Sequence, residues 1–221
     1  MNIETGKRDI GHVIDDALTA LRLGKLHMAL RSIFAALDET AQAAYPGKQV
    51  GDRITMFVGD NTTLIYAGTL LGTKPPVKIG RMKFELLHPE IADDKGLASL
   101  QDIIYYLMRC MLTHTTDIDE MIEFSNDAGF ACHNGKKLTL PTTLPIGLIV
   151  AIVASPVNAG KQAPPCHITA FGVTMNINEL WGREDLWRQR LEQVHEGLLR
   201  QNEADKEMRP PYEPIQIDFR Y

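Results

Sequence analysis

The spacing of apolar residues predicts helices over most of the first half of the chain. In residues 13–21, apolar side chains recur every three or four positions, and Gly24 then interrupts the pattern. A longer helical pattern covers residues 26–44 and ends at Pro46 and Gly47. Because only a few residues separate the two patterns, the sequence predicts two helices folded back on each other as an antiparallel pair.

The segment that follows is less regular. Three apolar residues predict a third, shorter helix within residues 50–66, namely Ile54, Phe57 and Val58. Glycines and prolines in residues 68–80 then predict a loop. The start of this loop, residues 68–74, superficially resembles a phosphate-binding loop. However, three residues instead of four separate its glycines, and the threonine precedes the lysine, so we expect no nucleotide there.

The clearest helical pattern lies in residues 97–119. Its apolar stripe, which we expect to face the core, consists of Leu100, Ile103, Ile104, Leu107 and Met111. At about 100° per residue, Arg109 points away from this stripe. Tyr105 and Leu112 lie beside Arg109, so this back face also suits an interface with a partner.

The chain changes character after Asp119 and predicts a smaller α+β part. Residues 130–140 contain two strand-like runs around Asn134 and Gly135, which indicates a β-hairpin with a two-residue turn, and residues 121–124 predict a third strand. An apolar helix is predicted over residues 144–154, with Thr142 or Thr143 as its cap. It is about half as long as the ~20 residues that span a bilayer, so we expect it to be buried.

The last segments predict one strand, one helix and a tail. Alternating apolar residues predict a single strand over residues 168–177, and an amphipathic helix follows over about residues 183–207. The tail at 215–221 also alternates and is expected to dock as an edge strand, on its own body or on a second subunit. The expected fold class is therefore mainly α, with an antiparallel helical bundle at 1–119. We expect a smaller α+β extension, which includes the hairpin, at 120–221, packed as one unit with the bundle.

Composition narrows the functional classes without specifying one. The 221 residues are 44% hydrophobic and 23% charged, as is usual for a globular protein. The net charge of −5 provides no global attraction to nucleic acid, so we predict no DNA partner, and RNA would need a local basic patch. The sequence shows no secretory signal and no spanning segment, so we expect a cytoplasmic location without a membrane partner.

Arg109 and His114 are the leading candidates for catalytic residues. Four residues separate them, which matches the Arg-x4–6-His signature of the HEPN superfamily. The helix pair that precedes them also resembles uncharacterised bacterial HEPN-like proteins, and the resemblance covers about residues 13–119. It implies a metal-independent endoribonuclease with no cofactor, in which the arginine and histidine of two protomers meet in a composite cleft of a homodimer.

The two residue types suit RNA cleavage by the neighbouring 2′-hydroxyl. Histidine titrates near neutral pH and can transfer protons, whereas arginine presents a fixed fork of donors to phosphate oxygens. On an unbroken helix, His114 would lie roughly 140° from Arg109 and point toward the core. Catalysis by this pair therefore requires the helix to end or loosen near Thr113.

The sequence is also compatible with functions other than RNA cleavage. Arg109 could be structural, with Asp38 or Glu39 as its ion-pair partner, and His114 could lie at a capped helix end. The negative net charge of the chain, and Cys110 directly after Arg109, favour a non-catalytic HEPN-like module for dimerisation, RNA binding or regulation. A small-molecule binder, with its cleft between the helical and α+β parts, is a third hypothesis.

The sequence contains two Cys-His pairs, which together are candidates for a zinc site. The pairs are Cys132-His133 and Cys166-His167. Two thiolates and two imidazoles can hold zinc, but neighbouring residues of a strand point to opposite faces of the sheet. We therefore expect no metal site and predict that these cysteines, like Cys110, are free thiols.

Overall fold

The computed structural model of the chain describes residues 9–71, 83–85, 91–113, 122–126, 130–133, 137–170 and 172–204. Within these residues the fold is mainly helical, as the sequence predicts. The α-helices are α1 (Ile10–Arg22), α2 (Leu26–Ala44), α3 (Val50–Asp60), α4 (Thr62–Thr69), α5 (Leu100–Thr113), α6 (Leu144–Ala154) and α7 (Glu184–Ala204). The strands are β1 (Lys83–Glu85), β2 (Leu97–Ser99), β3 (Ile122–Ser125), β4 (Ala131–His133), β5 (Lys137–Pro141), β6 (His167–Ala170) and β7 (Val173–Asn176).

Helices α1 and α2 pack against each other, as their spacing predicts. Asp9 caps the start of α1, because its side chain accepts a hydrogen bond from the backbone of Gly11 at 2.8 Å. At the other end, Gly24 adopts a positive φ of 67°, and its N–H donates to the carbonyl of Leu21. The next N–H, that of Lys25, donates to the carbonyl of Ala20. This pair of bonds is a Schellman motif, which fixes the turn between the two helices.

The predicted third helix is confirmed as α3, in which Ile54, Phe57 and Val58 are buried, but a further helix, α4, follows it and was not predicted. Asn61 ends α3 and directly precedes α4, and its side chain donates to the carbonyl of Phe57 at 2.9 Å. The predicted loop also begins later than the sequence indicates. Gly68 lies within α4, where its missing side chain lets the helix approach Gly147 of α6. This placement removes Gly68 from any phosphate-binding loop; residues 72–74 lie outside the described residues.

Helix α6 is buried at every residue, as its apolar sequence predicts. It packs against α2, α4 and α7. Thr143 is the N-cap residue of α6, one of the two predicted, but its side chain forms no capping bond; its hydroxyl instead donates to the carbonyl of Thr69 at 2.6 Å. Among the described helices, none combines the length and apolar character that a membrane crossing requires.

The strands form three small sheets within the described residues. Strand β5 lies between β3, with which it runs parallel, and β4, with which it runs antiparallel. The predicted hairpin and third strand are thus confirmed, but the two-residue turn is not, because His133 pairs with Lys137 and three residues separate them. Residues 134–136 lie outside the described residues. The prediction of one strand over 168–177 is wrong. Gly172, with a φ of +76°, lies between β6 and β7, which form an antiparallel pair.

One hydrophobic core includes residues from both sides of the boundary predicted at residue 119. Phe34 and Leu37 of α2 belong to the same buried cluster as Leu148 of α6. Trp181 and Trp187 are also buried in it. The helices that carry the candidate site therefore share their core with the α+β part. The predicted tail at 215–221 lies outside the described residues.

Candidate functional site

Helix α5, which carries Arg109, starts at a reciprocal cap and not at residue 97. The backbone N–H of Ser99 donates to the carboxylate of Asp102 at 3.2 Å, and the Ser99 hydroxyl donates to the same carboxylate oxygen. In return, the N–H of Asp102 donates to the Ser99 hydroxyl at 3.3 Å. Such a capping box fixes the first turn of a helix. The three residues before α5 form β2, which pairs with β1.

The buried face of α5 confirms the predicted stripe where its side chains are described. Leu100, Ile103, Ile104 and Leu107 are at most 1% exposed. Met108 and Tyr106 are also buried, so the buried arc is wider than the stripe. The side chain of Met111, the last predicted member, lies outside the described residues.

Arg109 is exposed on α5, on the side away from this stripe, as the helical spacing predicts. At about 100° per residue it points opposite Leu100. Tyr105, one turn earlier on the same face, is half-buried against the start of α3. A side chain added at Gly51 would meet the Tyr105 ring at 3.1 Å. Arg109 thus lies one turn after the residue through which α5 contacts the start of α3.

His114 is the second residue of the predicted catalytic pair. His114 follows α5 directly in sequence and lies outside the described residues. The side chain of Cys110 lies outside them as well. The description of α5 stops at Thr113, so the requirement that the helix end or loosen near this residue stays a prediction.

Asp38 is one of the two carboxylates predicted to pair with Arg109 if that arginine were structural, and it is bound to another arginine. The carboxylate of Asp38 accepts hydrogen bonds from Nε of Arg53 at 2.9 Å and from Nη2 of Arg53 at 2.6 Å. Arg53 is only 13% exposed and Asp38 is 36% exposed, so this ion pair between α2 and α3 is partly removed from water. No sequence pattern indicates this pair, since fifteen positions separate its members and they lie on different helices.

The cysteine and histidine pairs differ in how far the structure describes them. Cys166 is a free, fully buried cysteine, as predicted. Burial, and to a smaller extent the negative charge of Asp15, raises the pKa of its thiol to about 12. His167, its neighbour, is half-buried. Among the residues that the structure describes, no group of three His, Cys, Asp or Glu side chains is arranged to hold a metal ion. The side chains of Cys132 and His133 lie outside the described residues.

Asn178 has a role that the sequence only partly indicates. The side chain of Asn176 caps the short turn at Ile177–Glu179 by accepting from the N–H of Asn178. The amide of Asn178 instead binds both backbone groups of Ala163, each at 2.8 Å. This bidentate contact fixes the loop that precedes β6. No sequence pattern marks such a contact, because the loop is irregular.

Comparison with known proteins identifies relatives without a described activity. A family model described as Rv1289 matches residues 9–205 of the chain. The "Uncharacterized protein Rv1289" of Mycobacterium tuberculosis is 26% identical over 160 residues, which cover 70% of this chain and 74% of that protein. A Mycobacterium bovis protein, "Uncharacterized protein Mb1320", matches with the same values. No solved structure gives a significant match.

Proposed function

The chain belongs to the Rv1289 family, and we propose that it acts as a HEPN-like, metal-independent endoribonuclease. The observation that supports this proposal best is the exposure of Arg109 on the face of α5 opposite Leu100. The side chain of Arg109 is exposed late in a helix whose opposite face lies in the core. A second copy of the chain could therefore reach it.

In this proposal the active unit is a homodimer. The two copies of Arg109 bind the scissile phosphate and stabilise the negative charge that develops on it. His114 transfers protons, as a base toward the 2′-hydroxyl and as an acid toward the departing 5′-oxygen. No cofactor is required, because the nucleophile belongs to the RNA itself.

The solution mass is the first test of the dimer. Sedimentation equilibrium of the full chain should give twice the mass of 24.7 kDa. A strict monomer at all accessible concentrations would leave the composite cleft without its second half. The proposed mechanism would then be wrong, whatever RNA the protein bound.

Cleavage of RNA in the presence of a chelator tests the chemistry. We expect Arg109→Ala to lower the rate by about 10²–10³-fold, as for the loss of a donor to developing negative charge. His114→Ala should lower it by about 10²–10⁴-fold, as for the loss of a proton-transfer group. Arg183→Ala is the matched control, because Arg183 is an exposed arginine at the start of α7 that pairs with Asp185. Equal rates in all four proteins would exclude the proposal.

A non-catalytic HEPN-like module is the second candidate, and Cys110 favours it. In active members of the superfamily that the chain resembles, the residue after the arginine is often polar. RNA binding that weakens steeply with salt, with no cleavage products, would support this candidate.

A further inference from the structure

Strand β6 lies at the edge of a sheet that contains only two strands within the described residues. In an antiparallel pair, residues that bond across the sheet alternate with residues whose backbone groups point outward. The N–H of Ile177 donates to the carbonyl of Cys166 at 3.2 Å, so Cys166 belongs to the first set. His167 and Thr169 belong to the second set, and their backbone groups point away from β7.

The outer edge of β6 is not paired with any segment that the structure describes. Among the described residues, no backbone hydrogen bond joins His167 or Thr169 to a residue outside the sheet of β6 and β7. Helix α7 packs against the opposite strand, β7. The side chains of His167 and Thr169 are half-buried, so the edge is partly open to solvent. An unpaired edge of this kind can bind one further strand.

The two faces of this sheet differ in polarity. Ile168 and Ala170 are at most 4% exposed and belong to the core, and Met175 of β7 lies on the same side as Ile168. The opposite face is polar and carries Thr169 and Thr174, whose hydroxyls lie 3.1 Å apart. A strand added to the edge should therefore have apolar residues on one face and polar residues on the other.

The other described strands suit an added strand less well. Charged side chains on an edge strand oppose pairing with a further chain, and β1 carries Lys83 and Glu85, while β3 carries Glu123. Strands β2 and β4 carry no such charge but have three residues each. Strand β6 has four residues, and two of them, Ile168 and Thr169, are β-branched, as favours a strand.

The segment at residues 215–221, which lies outside the described residues, has the pattern that such a strand requires. Apolar and polar residues alternate along it without interruption. The apolar positions are Ile215, Ile217, Phe219 and Tyr221, and the polar positions are Gln216, Asp218 and Arg220. Asp218 and Arg220 carry opposite charges, so the segment brings no net charge to the edge.

The chain between α7 and this segment is long enough to reach β6. Helix α7 packs against β7, and its 21 residues span roughly 31 Å at about 1.5 Å per residue. Residues 205–214 separate α7 from the segment, and an extended chain of this length spans up to about 33–36 Å. The segment can therefore return along α7 to the sheet.

We propose that residues 215–221 pair with the outer edge of β6 of the same chain and form the third strand of this sheet. The backbone groups of His167 and Thr169 then bond to the segment. Its apolar side chains lie on the face of Ile168 and Ala170, and its polar side chains lie on the face of Thr169. This pairing covers an edge that could otherwise bind another chain. It does not depend on Arg109 or on the proposed ribonuclease function.

Amide hydrogen exchange of the full chain, followed residue by residue with NMR, tests this pairing. The N–H groups of His167 and Thr169 should exchange slowly in the natural chain. They should exchange roughly tenfold faster in the Ile217→Ser/Phe219→Ser variant, as for the loss of about one net hydrogen bond each. Unchanged exchange in this variant would overturn the proposal.

Two controls show whether the effect belongs to the edge of β6. The Gln216→Ser/Asp218→Ser variant changes only the polar face of the same segment and should keep the slow exchange. The N–H groups of Ile168 and Ala170 bond to β7 and should exchange at nearly the same rate in all three proteins. Equal effects of the two variants would overturn the proposal. So would an equal acceleration at Ile168 and Ala170, because it would indicate a general loss of stability.

The exchange rates also distinguish the possible occupants of the edge. Fast exchange of His167 and Thr169 in the natural chain would mean that the edge is open to another protein. Slow exchange that becomes fast on dilution would mean that a second copy of the chain supplies the strand. Either result would overturn the proposal, which predicts slow exchange that is independent of protein concentration and is lost in Ile217→Ser/Phe219→Ser.

Discussion

The side chains of Asn158 and Thr40, which are 118 positions apart in the chain, form a hydrogen bond of 2.9 Å inside the core. The Asn158 amide also donates to the carbonyl of Ile152 at 2.8 Å, and the Thr40 hydroxyl donates to the carbonyl of Ala36 at 2.8 Å. Both side chains are buried. The contacts connect the turn after α6 to the middle of α2, and so join the bundle to the α+β part.

Loss of this network should destabilise the whole fold. We expect Asn158→Ala to lower the free energy of unfolding by about 1–3 kcal/mol, since it leaves buried polar groups without their partner. Asn126→Ala is the control, because Asn126 bonds to Thr142 at the exposed surface and its loss should cost no more than about 0.5 kcal/mol. Urea denaturation measures both values. Equal midpoints for the two variants would show that the network does not stabilise the fold.

Two glycine-to-alanine substitutions, one at the contact between α4 and α6 and one in α3, should have opposite effects on stability. A Cβ added at Gly147 would lie 2.2 Å from the carbonyl oxygen of Ile65 and 2.3 Å from the Thr69 hydroxyl. Gly147→Ala should therefore destabilise the protein by about 1–3 kcal/mol. Gly59 lies in α3, where the nearest atom would be 3.8 Å away, so Gly59→Ala should stabilise it by about 0.4–1 kcal/mol. Thermal unfolding should shift in opposite directions, and a shift in the same direction would contradict the described packing.

Apolar periodicity was sufficient to predict most of the helices. The spacing in α1, α2 and α7 matches the faces that are buried, because each of these helices has one side on the core and one on the surface. Helix α6 was predicted from its length and composition instead, since it is buried all round and has no polar face.

The errors share a physical cause: they lie where contacts distant in the chain decide the structure. Gly68 breaks isolated helices, but here it permits the approach of α6, a contact that the sequence of α4 does not encode. Alternation over residues 168–177 is the same for one long strand or for two short ones. Only the positive φ of Gly172 distinguishes the two cases. The partner of Asn158 could not be predicted for the same reason.

Cys166 predicts an alkaline loss of stability. Burial raises the pKa of its thiol from 9.0 to about 12, so the neutral thiol stabilises the folded state. This contribution is complete below pH 9 and is lost as the pH rises toward 12. The pKa of Tyr45 is also raised to about 12, so its ionisation lowers the stability over the same pH range in the natural chain and in any Cys166 variant. We expect the free energy of unfolding of Cys166→Ala to fall less between pH 9 and 11 than that of the natural chain.

Chemical labelling checks the same burial. Iodoacetamide at neutral pH should leave Cys166 unmodified in the folded protein and alkylate it in urea, as peptide mass spectrometry can show. Rapid alkylation in the folded state, or parallel pH profiles for the natural chain and Cys166→Ala, would contradict the role assigned to this thiol.

The candidate site was predictable to the extent that it depends on one helix. The angle between Arg109 and Leu100 follows from helical geometry, and the exposure of Arg109 confirms it. The partner of Asp38 was not predictable, because Arg53 lies on another helix. A surface that a second copy completes is likewise not specified by the periodicity of a single chain.

The chemistry of the cleaved ends tests the ribonuclease proposal most directly. The protein is incubated with a short RNA and a chelator, and the products are identified by mass spectrometry. We predict a 2′,3′-cyclic phosphate on one product and a 5′-hydroxyl on the other. Both should form about 10²–10³-fold more slowly with Arg109→Ala. Both should be absent with an RNA that carries 2′-deoxyribose at the cleaved position. Cleavage of the 2′-deoxy substrate, or identical products from Arg109→Ala at an unchanged rate, would contradict the proposed mechanism.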